Sequence, residues 1–388
     1  MVDYNKSFST YWTTSRFYKN STSPSSTLLK PEAKYNIVII GKSGVGKSSL
    51  VNYLFGEIKR KVGTGKPVTE VGFHPIDFML KELPVRLFDS WGLEADKSKI
   101  WMDILDAELR FRGVDRDVTQ WFHSVFYCIG AGGGRVEDFE LKIIKRFLNE
   151  KYNVIILLTK ADQARKEQLD AITTLLKSEL NNSLVVIPVC SEEKVLLGGR
   201  RTQKFGKIDI EKQIPNSFWL SILQRLPTRC ITLIETEIIT WQNIMTKYIN
   251  NNTGLFNLKN IYKHIDEDGK KFAEELQNNI AKEIIIYEVS LILEMYDLFR
   301  KGLNFPQIKF CNNVNLSRIN IPYFDYNSDL LGSIFASIII PIGIFFIKGI
   351  NRKNLNKILS SYAENLFTAV AKLEPEIQKM LLEISSYN

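Results

Sequence analysis

One eight-residue stretch restricts the fold more than any other: Gly41-Lys42-Ser43-Gly44-Val45-Gly46-Lys47-Ser48. An apolar run, Ile37-Val38-Ile39-Ile40, precedes it, and Ser49-Leu50-Val51-Asn52-Tyr53-Leu54-Phe55 follows. That order predicts a buried strand, a glycine turn and a helix with one apolar face. The spacing is G-x-x-x-x-G-K-S, a phosphate-binding loop in its strand-to-helix setting. Small residues let backbone N–H groups turn inward around a polyphosphate, and the helix N-terminus adds positive dipole where the charge lies. The phosphate-contacting set is then Ser43, Gly44, Val45, Gly46, Lys47, Ser48 and Ser49. Lys47 is expected to reach the β- and γ-phosphates, and Ser48 to place its hydroxyl on Mg²⁺.

From Tyr35 apolar runs alternate with helical periods. Strands are predicted at 36–40, 71–82, 84–89, 125–129, 154–158 and 184–189, the second and third joined as a hairpin. Helices are predicted at 47–56, 98–111, 115–122, 136–150, 166–180 and 217–226, the last closing before Pro227. Such alternation means an α/β fold: a mostly parallel sheet with helices on both faces, whose ligands bind beyond the carboxyl ends of the strands. After Pro227 strands stop, and helical spacing covers 229–250, about 254–303, and 353–386. One apolar stripe runs Leu355, Ile358, Leu359, Tyr362, Leu366, Val370, Leu373, with Pro375 placed to break it. The expected domains are a poorly ordered arm at 1–34, rich in Ser, Thr, Tyr and Asn, an α/β domain at 35–227, and an α-helical domain at 228–388.

Composition narrows the partners. The 388 residues carry a net charge of +8, but the basic residues are dispersed and build no sustained basic-aromatic tract, so there is no strong nucleic-acid signal. Cys128, Cys190, Cys230 and Cys311 lie far apart without C-x-x-C spacing, and His74, His123 and His264 are equally scattered. Neither a zinc site nor a disulfide framework is expected. The N-terminus lacks the apolar core of a signal peptide, so a cytoplasmic, reduced protein is expected.

Three further stretches complete a guanine-nucleotide site. Asp89-Ser90-Trp91-Gly92 ends the third strand: its Asp can hold Mg²⁺ through water, and its Gly can offer an N–H to a γ-phosphate and act as a hinge. Thr159-Lys160-Ala161-Asp162 ends the fifth. A carboxylate at Asp162 can accept from N1–H and the 2-amino group of guanine, where adenine would leave a buried acceptor unpaired. The Lys160 stem can lie along the base. Cys190-Ser191 ends the sixth strand with residues small enough for the backbone to approach the base edge. Between the loop and the hairpin, Thr69 is the preferred threonine to complete the Mg²⁺ shell, with Thr64 as the alternative.

This ordered set resembles the translation-factor-related class of GTPases. Gly44 at the fourth loop position resembles the septin, Toc and immunity-related branches. The run Phe126-Tyr127-Cys128-Ile129 into Gly132-Gly133-Gly134-Arg135-Val136-Glu137 resembles bacterial Era/septin-like members of the ribosome-binding-GTPase superfamily. The likeness covers 35–227, and the helices beyond it are similar to immunity-related and dynamin-like architectures at the level of fold. The resemblance implies GTP or GDP with Mg²⁺ and a homodimer or nucleotide-dependent oligomer; slow intrinsic hydrolysis is expected from the departure at position 93. Leu93 stands where Ras-like members carry a water-orienting glutamine, and Thr159 where many carry asparagine. Water must then be oriented by another group: the Thr69 backbone, Glu94, His74, or a residue of a second subunit. Arg135 is the candidate for an arginine finger acting across a dimer. Lys47, Thr69, Gly92 and Arg135 form the expected catalytic set. A GTP-locked dimerising scaffold with little turnover is the rival reading, and a ribosome- or RNA-associated GTPase is the third.

The last informative stretch is 330–347, eighteen residues without a charge, interrupted by Pro341 and Gly343 and followed by Lys348, Arg352, Lys353 and Lys357. A single span would conflict with the positive-inside rule and a cytoplasmic nucleotide site, and the run is too short for two spans. Two readings remain: a buried helical hairpin, or shallow contact with the inner face of a membrane.

Overall fold

A computed structural model describes residues 33–56, 72–90, 92, 98–133, 135–193, 201–252, 258–303 and 352–386. Of the expected features, nearly all of the arm at 1–34, both switch threonines, Leu93, Glu94, Cys311 and the apolar run at 330–347 lie outside these residues.

The described strands are β1 (Tyr35–Gly41), β2 (Phe73–Leu80), β3 (Leu83–Ser90), β4 (Ser124–Gly130), β5 (Val154–Thr159) and β6 (Val185–Val189). The helices are α1 (Lys47–Phe55), α2 (Ser98–Phe111), α3 (Asp138–Asn149), α4 (Lys166–Glu179), α5 (Lys207–Asn252), α6 (Leu258–Glu275), α7 (Ala281–Arg300), α8 (Arg352–Ala371) and α9 (Leu373–Ser386). The described chain divides into two compact units, 33–225 with 292–303, and 226–291 with 352–386.

The first unit is an α/β layer structure. Its six-stranded sheet runs β2-β3-β1-β4-β5-β6. All neighbours are parallel except the β2–β3 hairpin at one edge. β1 is central and buried along its whole length, which is why its sequence is a continuous apolar run rather than an alternating one. Chain order reverses at β1, so the glycine loop leaves the sheet where a doubly wound fold opens its ligand crevice. Val38 and Ile40 pack with Phe88, Trp101, Phe122, Tyr127 and Phe147 in one core.

The amino end of the sheet is closed by aromatic and polar groups. The Tyr35 hydroxyl shares a 2.7 Å hydrogen bond with Ser124 Oγ. The Asn36 N–H donates to His123 Nδ1 at 2.9 Å, which leaves Nε2–H of that buried ring to donate to Val118 O at 3.1 Å. Phe299, near the end of α7, stands edge-on to Tyr35 with ring centroids 4.6 Å apart, and lies 5.1 Å from His123 and 5.3 Å from Phe218.

Three sequence expectations change here. The helix expected at 115–122 is only a 3-10 turn, Val118–Gln120. Asp117 Oδ1 accepts from the Thr119 amide at 2.9 Å, and Asn36 Nδ2 donates to the carbonyls of Thr119 at 2.8 Å and Trp121 at 2.9 Å, so those groups serve the sheet instead of a helical ladder. The helix expected to close before Pro227 instead continues as α5, through Pro215 and Pro227. Ile222, Leu226, Cys230, Ile234, Ile238 and Trp241 keep one buried face across the proline, and that burial outweighs a proline cost of about 3 kcal/mol. Finally, 292–303 joins the α/β unit rather than the helical one.

In the second unit the stripe from Leu355 to Val370 is buried along α8, and Leu373 opens α9. The break comes at Lys372, and Pro375 sits in the first turn of α9, where its missing N–H costs nothing. Trp241 stacks on Phe272 at 5.0 Å and donates Nε1–H to Asp268 at 2.8 Å. Arg229 forms a buried bidentate pair with Glu288, at 2.6 and 2.8 Å. Among the described residues no helix is long and apolar enough to cross a membrane.

Candidate active site

β1 delivers the loop and α1 receives it. Gly46 holds φ +101° at the N-cap of α1, a left-handed conformation that disfavours any side chain. Its carbonyl accepts the Leu50 amide at 2.9 Å and starts the helix. Ser43 and Gly44 are exposed, Val45 is buried, and Ser48 and Ser49 are half-buried. Lys47 is nearly buried, and its ammonium curls back over the loop to donate to Gly41 O at 2.6 Å and Lys42 O at 2.9 Å. A cationic head held over a glycine loop at a helix N-terminus is a fitting receptor for a polyphosphate. Ser49 Oγ donates to the Glu192 carboxylate, so that hydroxyl is engaged away from the phosphate cradle.

Asp89 is 3% exposed at the end of β3, in register with Ile39 of β1 and His74 of β2. Gly92 lies against the loop: a Cβ there would fall 2.8 Å from Ser43 Cα, so a larger residue would push into the phosphate loop. These two placements bring the D-x-x-G stretch beside the glycine loop. Ser48 and Asp89 supply a hydroxyl and a carboxylate, hard oxygen donors that suit Mg²⁺.

The third stretch is bound to the loop directly. Thr159 Oγ1 donates to Val45 O at 2.6 Å, with Ile129 O at 3.2 Å. Lys160 takes φ +54°, and its ammonium donates to Gly44 O at 2.5 Å. Its stem thereby lies along the loop. Asp162 follows in a half-buried turn beside Cys190, whose thiol is pushed up by burial and by the Asp162 carboxylate. The Cys190 backbone pairs with Phe205 in both directions, at 3.2 and 3.0 Å, which fixes the start of the Cys190-Ser191 segment. All four sequence stretches therefore converge at the carboxyl edge of β1, β3, β5 and β6.

Beyond the loop lies a cavity of about 590 Å³, walled by Lys42–Val45, Gly130, Glu137, Lys160 and Gln163. Arg135 stands exposed on its rim and forms no ion pair with any described residue. Glu137, its nearest acidic neighbour in sequence, is taken by the Lys42 ammonium. Glu140 is 1% exposed; its Oε2 accepts the Glu137 amide at 3.1 Å. Burial raises its carboxyl above the usual range. Lys42, Glu137 and Glu140 were not among the site residues expected from sequence. The E-x-x-E spacing at the start of α3 is a helix-cap signal that marks two of them.

The family profile described as 50S ribosome-binding GTPase matches residues 36–189. Cell division control protein 10 of Saccharomyces cerevisiae is 26% identical over 190 residues, covering 43% of this chain and 59% of that protein. Septin-14 of Mus musculus is 26% identical over 172 residues, covering 39% of this chain and 40% of its own length. GTPase Der of Rippkaea orientalis is 26% identical over 211 residues, covering 53% and 43%. The chain spans about half the length of the curated relatives it matches. Toc33 from Arabidopsis thaliana, solved with Mg²⁺ and GMPPNP, superposes over 50% of this chain and 86% of that one, with TM-score 0.34 and 15% identity.

Proposed function

We infer that residues 36–189, a P-loop GTPase domain, bind GTP and GDP and hydrolyse GTP in a reaction that depends on Mg²⁺ and responds to self-association. The observation that carries this reading is the closure of the loop by the guanine-type stretch: Thr159 on Val45 at 2.6 Å and Lys160 on Gly44 at 2.5 Å. In this reading phosphate and base elements belong to one site, where Asp162 selects guanine, with Cys190 and Ser191 at the base edge. Ser43, Gly44, Val45, Gly46 and Ser48 hold the phosphates, and Gly92 senses the terminal one. Ser48, Asp89 and Thr69 would hold Mg²⁺, which would supply charge neutralisation at the terminal phosphates. Lys47 supplies fixed positive charge where negative charge grows as the phosphoryl group leaves.

Water positioning is left open by Leu93, and Arg135 of a second copy is the group we assign to complete the site. Its exposure, and the absence of an ion pair to it among the described residues, support that role. Turnover should therefore be slow in dilute protein and rise with concentration. Phosphate release measured against protein concentration, with Lys47→Ala as the blank, tests the reading. Turnover independent of concentration would remove the self-association element, and turnover equal to the blank while GTP still binds would favour the GTP-held scaffold. Contact with the inner face of a membrane belongs to the same proposal, and adding anionic vesicles to that assay examines it.

A further inference from the structure

The phosphate loop and the rim that carries Arg135 are joined by a continuous polar path. Lys47 donates to the carbonyl of Lys42 at 2.9 Å. The Lys42 side chain crosses to the Glu137 carboxylate, at a side-chain exposure of about one third for each partner. Glu137 is the N-cap of α3, and its own amide is held by Glu140 Oε2 at 3.1 Å. Glu140 is buried, so this last link is shielded from solvent. The Lys42 ammonium also lies 5.8 Å from the Phe139 ring centroid. Among the described residues between Gly130 and Glu137, Ala131–Gly133 form a single 3-10 turn, and 135–137 lie in neither helix nor strand. The described flanks of Arg135 are β4 on one side and the capped, ion-paired start of α3 on the other.

We propose that Lys42, Glu137 and Glu140 are positioning residues, a relay through which the phosphate loop sets the placement of the Arg135 rim. The inference rests on the GTPase reading above and adds the means by which nucleotide state reaches the self-association face. Charge arriving at Lys47 draws on the same ammonium that the Lys42 carbonyl accepts from, so the loop residue that feels the phosphate is the one tied to Glu137. None of the three touches the reacting atoms in this scheme.

The test is a charge-swap cycle on the full chain: Lys42→Glu, Glu137→Lys and the pair together, with Glu140→Gln and Glu140→Ala beside them. Two quantities are read: nucleotide affinity from a fluorescent GDP analogue, and turnover against protein concentration. Glu137→Lys is expected to keep affinity within about threefold while the concentration-dependent rise falls about tenfold, a coupling of ordinary allosteric size. The double swap should restore most of that rise, because the two changes share one interaction and are non-additive. Glu140→Gln keeps the acceptor for the Glu137 amide and should behave as wild type, whereas Glu140→Ala should resemble Glu137→Lys. Additive effects in the swap cycle, or a Glu137→Lys variant that rises with concentration as wild type does, overturn the relay and leave the GTPase reading standing. A wild-type chain that binds no guanine nucleotide overturns both.

Discussion

At the amino end of β1, Tyr35 and Asn36 sit among fixed partners: Ser124, His123, Thr119 and Trp121, with Phe299 closed over them. At the carboxyl end of the same strand, the charged groups lean on backbone carbonyls of a glycine turn. Lys47 rests on Gly41 and Lys42, and Lys160 on Gly44. Both ends are hydrogen-bonded, but in different currencies. The amino end pairs neutral groups in a dry aromatic setting, which has one arrangement and resists change. The carboxyl end pairs cations with carbonyls, which any phosphate outbids. One end of the sheet is built for stability and the other for exchange.

The largest effect expected is at the dry end. Phe299→Ala should cost about 3–5 kcal/mol, as the removal of a buried aromatic ring does, and lower the denaturant midpoint in urea titration. If nucleotide affinity of the folded fraction survives that loss, the two ends are independent. Lys47→Ala should do the reverse: a fall of about 10² to 10³ in single-turnover phosphate release with little change in midpoint. The pH response separates the ends again. Burial holds the His123 imidazole at about 3, against 6.5 for the free ring, with its hydrogen bond to Val118 opposing the shift. The native state binds fewer protons than the unfolded chain between those values. Stability is therefore full above pH 6.5 and falls as pH drops toward 3, by up to about 1.4 kcal/mol per unit, in urea melts across that window. A flat profile would mean His123 is not held neutral.

Smaller changes sharpen the comparison at the exchange end. Thr159→Val removes the 2.6 Å bond that ties the guanine-type stretch to Val45 and strands a buried carbonyl, so we expect about 1–2 kcal/mol lost in melting, with weaker binding of the GDP analogue. Arg135→Ala should leave the melt within about 0.5 kcal/mol, since the side chain is exposed, and should abolish only the rise of turnover with concentration. Full turnover at high concentration in that variant removes Arg135 from the mechanism.

Strand positions of the α/β unit were legible in the sequence because a parallel sheet buried on both faces writes itself as apolar runs. The loop and the Asp162 stretch were legible because spacing and strand context are local. What escaped was set at a distance. Proline is a local stop signal, yet α5 runs on through Pro227 because its buried face is decided by tertiary packing. The turn at 118–120 is shaped by Asn36, far back in the chain. Lys42 and Glu137 stand 95 positions apart, and nothing in either neighbourhood names the other.

The return of 292–303 to the α/β unit bears on how the protein is made. A chain emerging from the ribosome presents β1 through β6 and the start of α5 well before Phe299 exists. Until α7 is complete, Tyr35, His123 and Phe218 lack the ring that covers them. Nascent chains and fragments ending between Arg225 and Ile292 would carry a finished phosphate loop on a sheet with an open aromatic end, and that end is where a chaperone, or an aggregate, would first take hold.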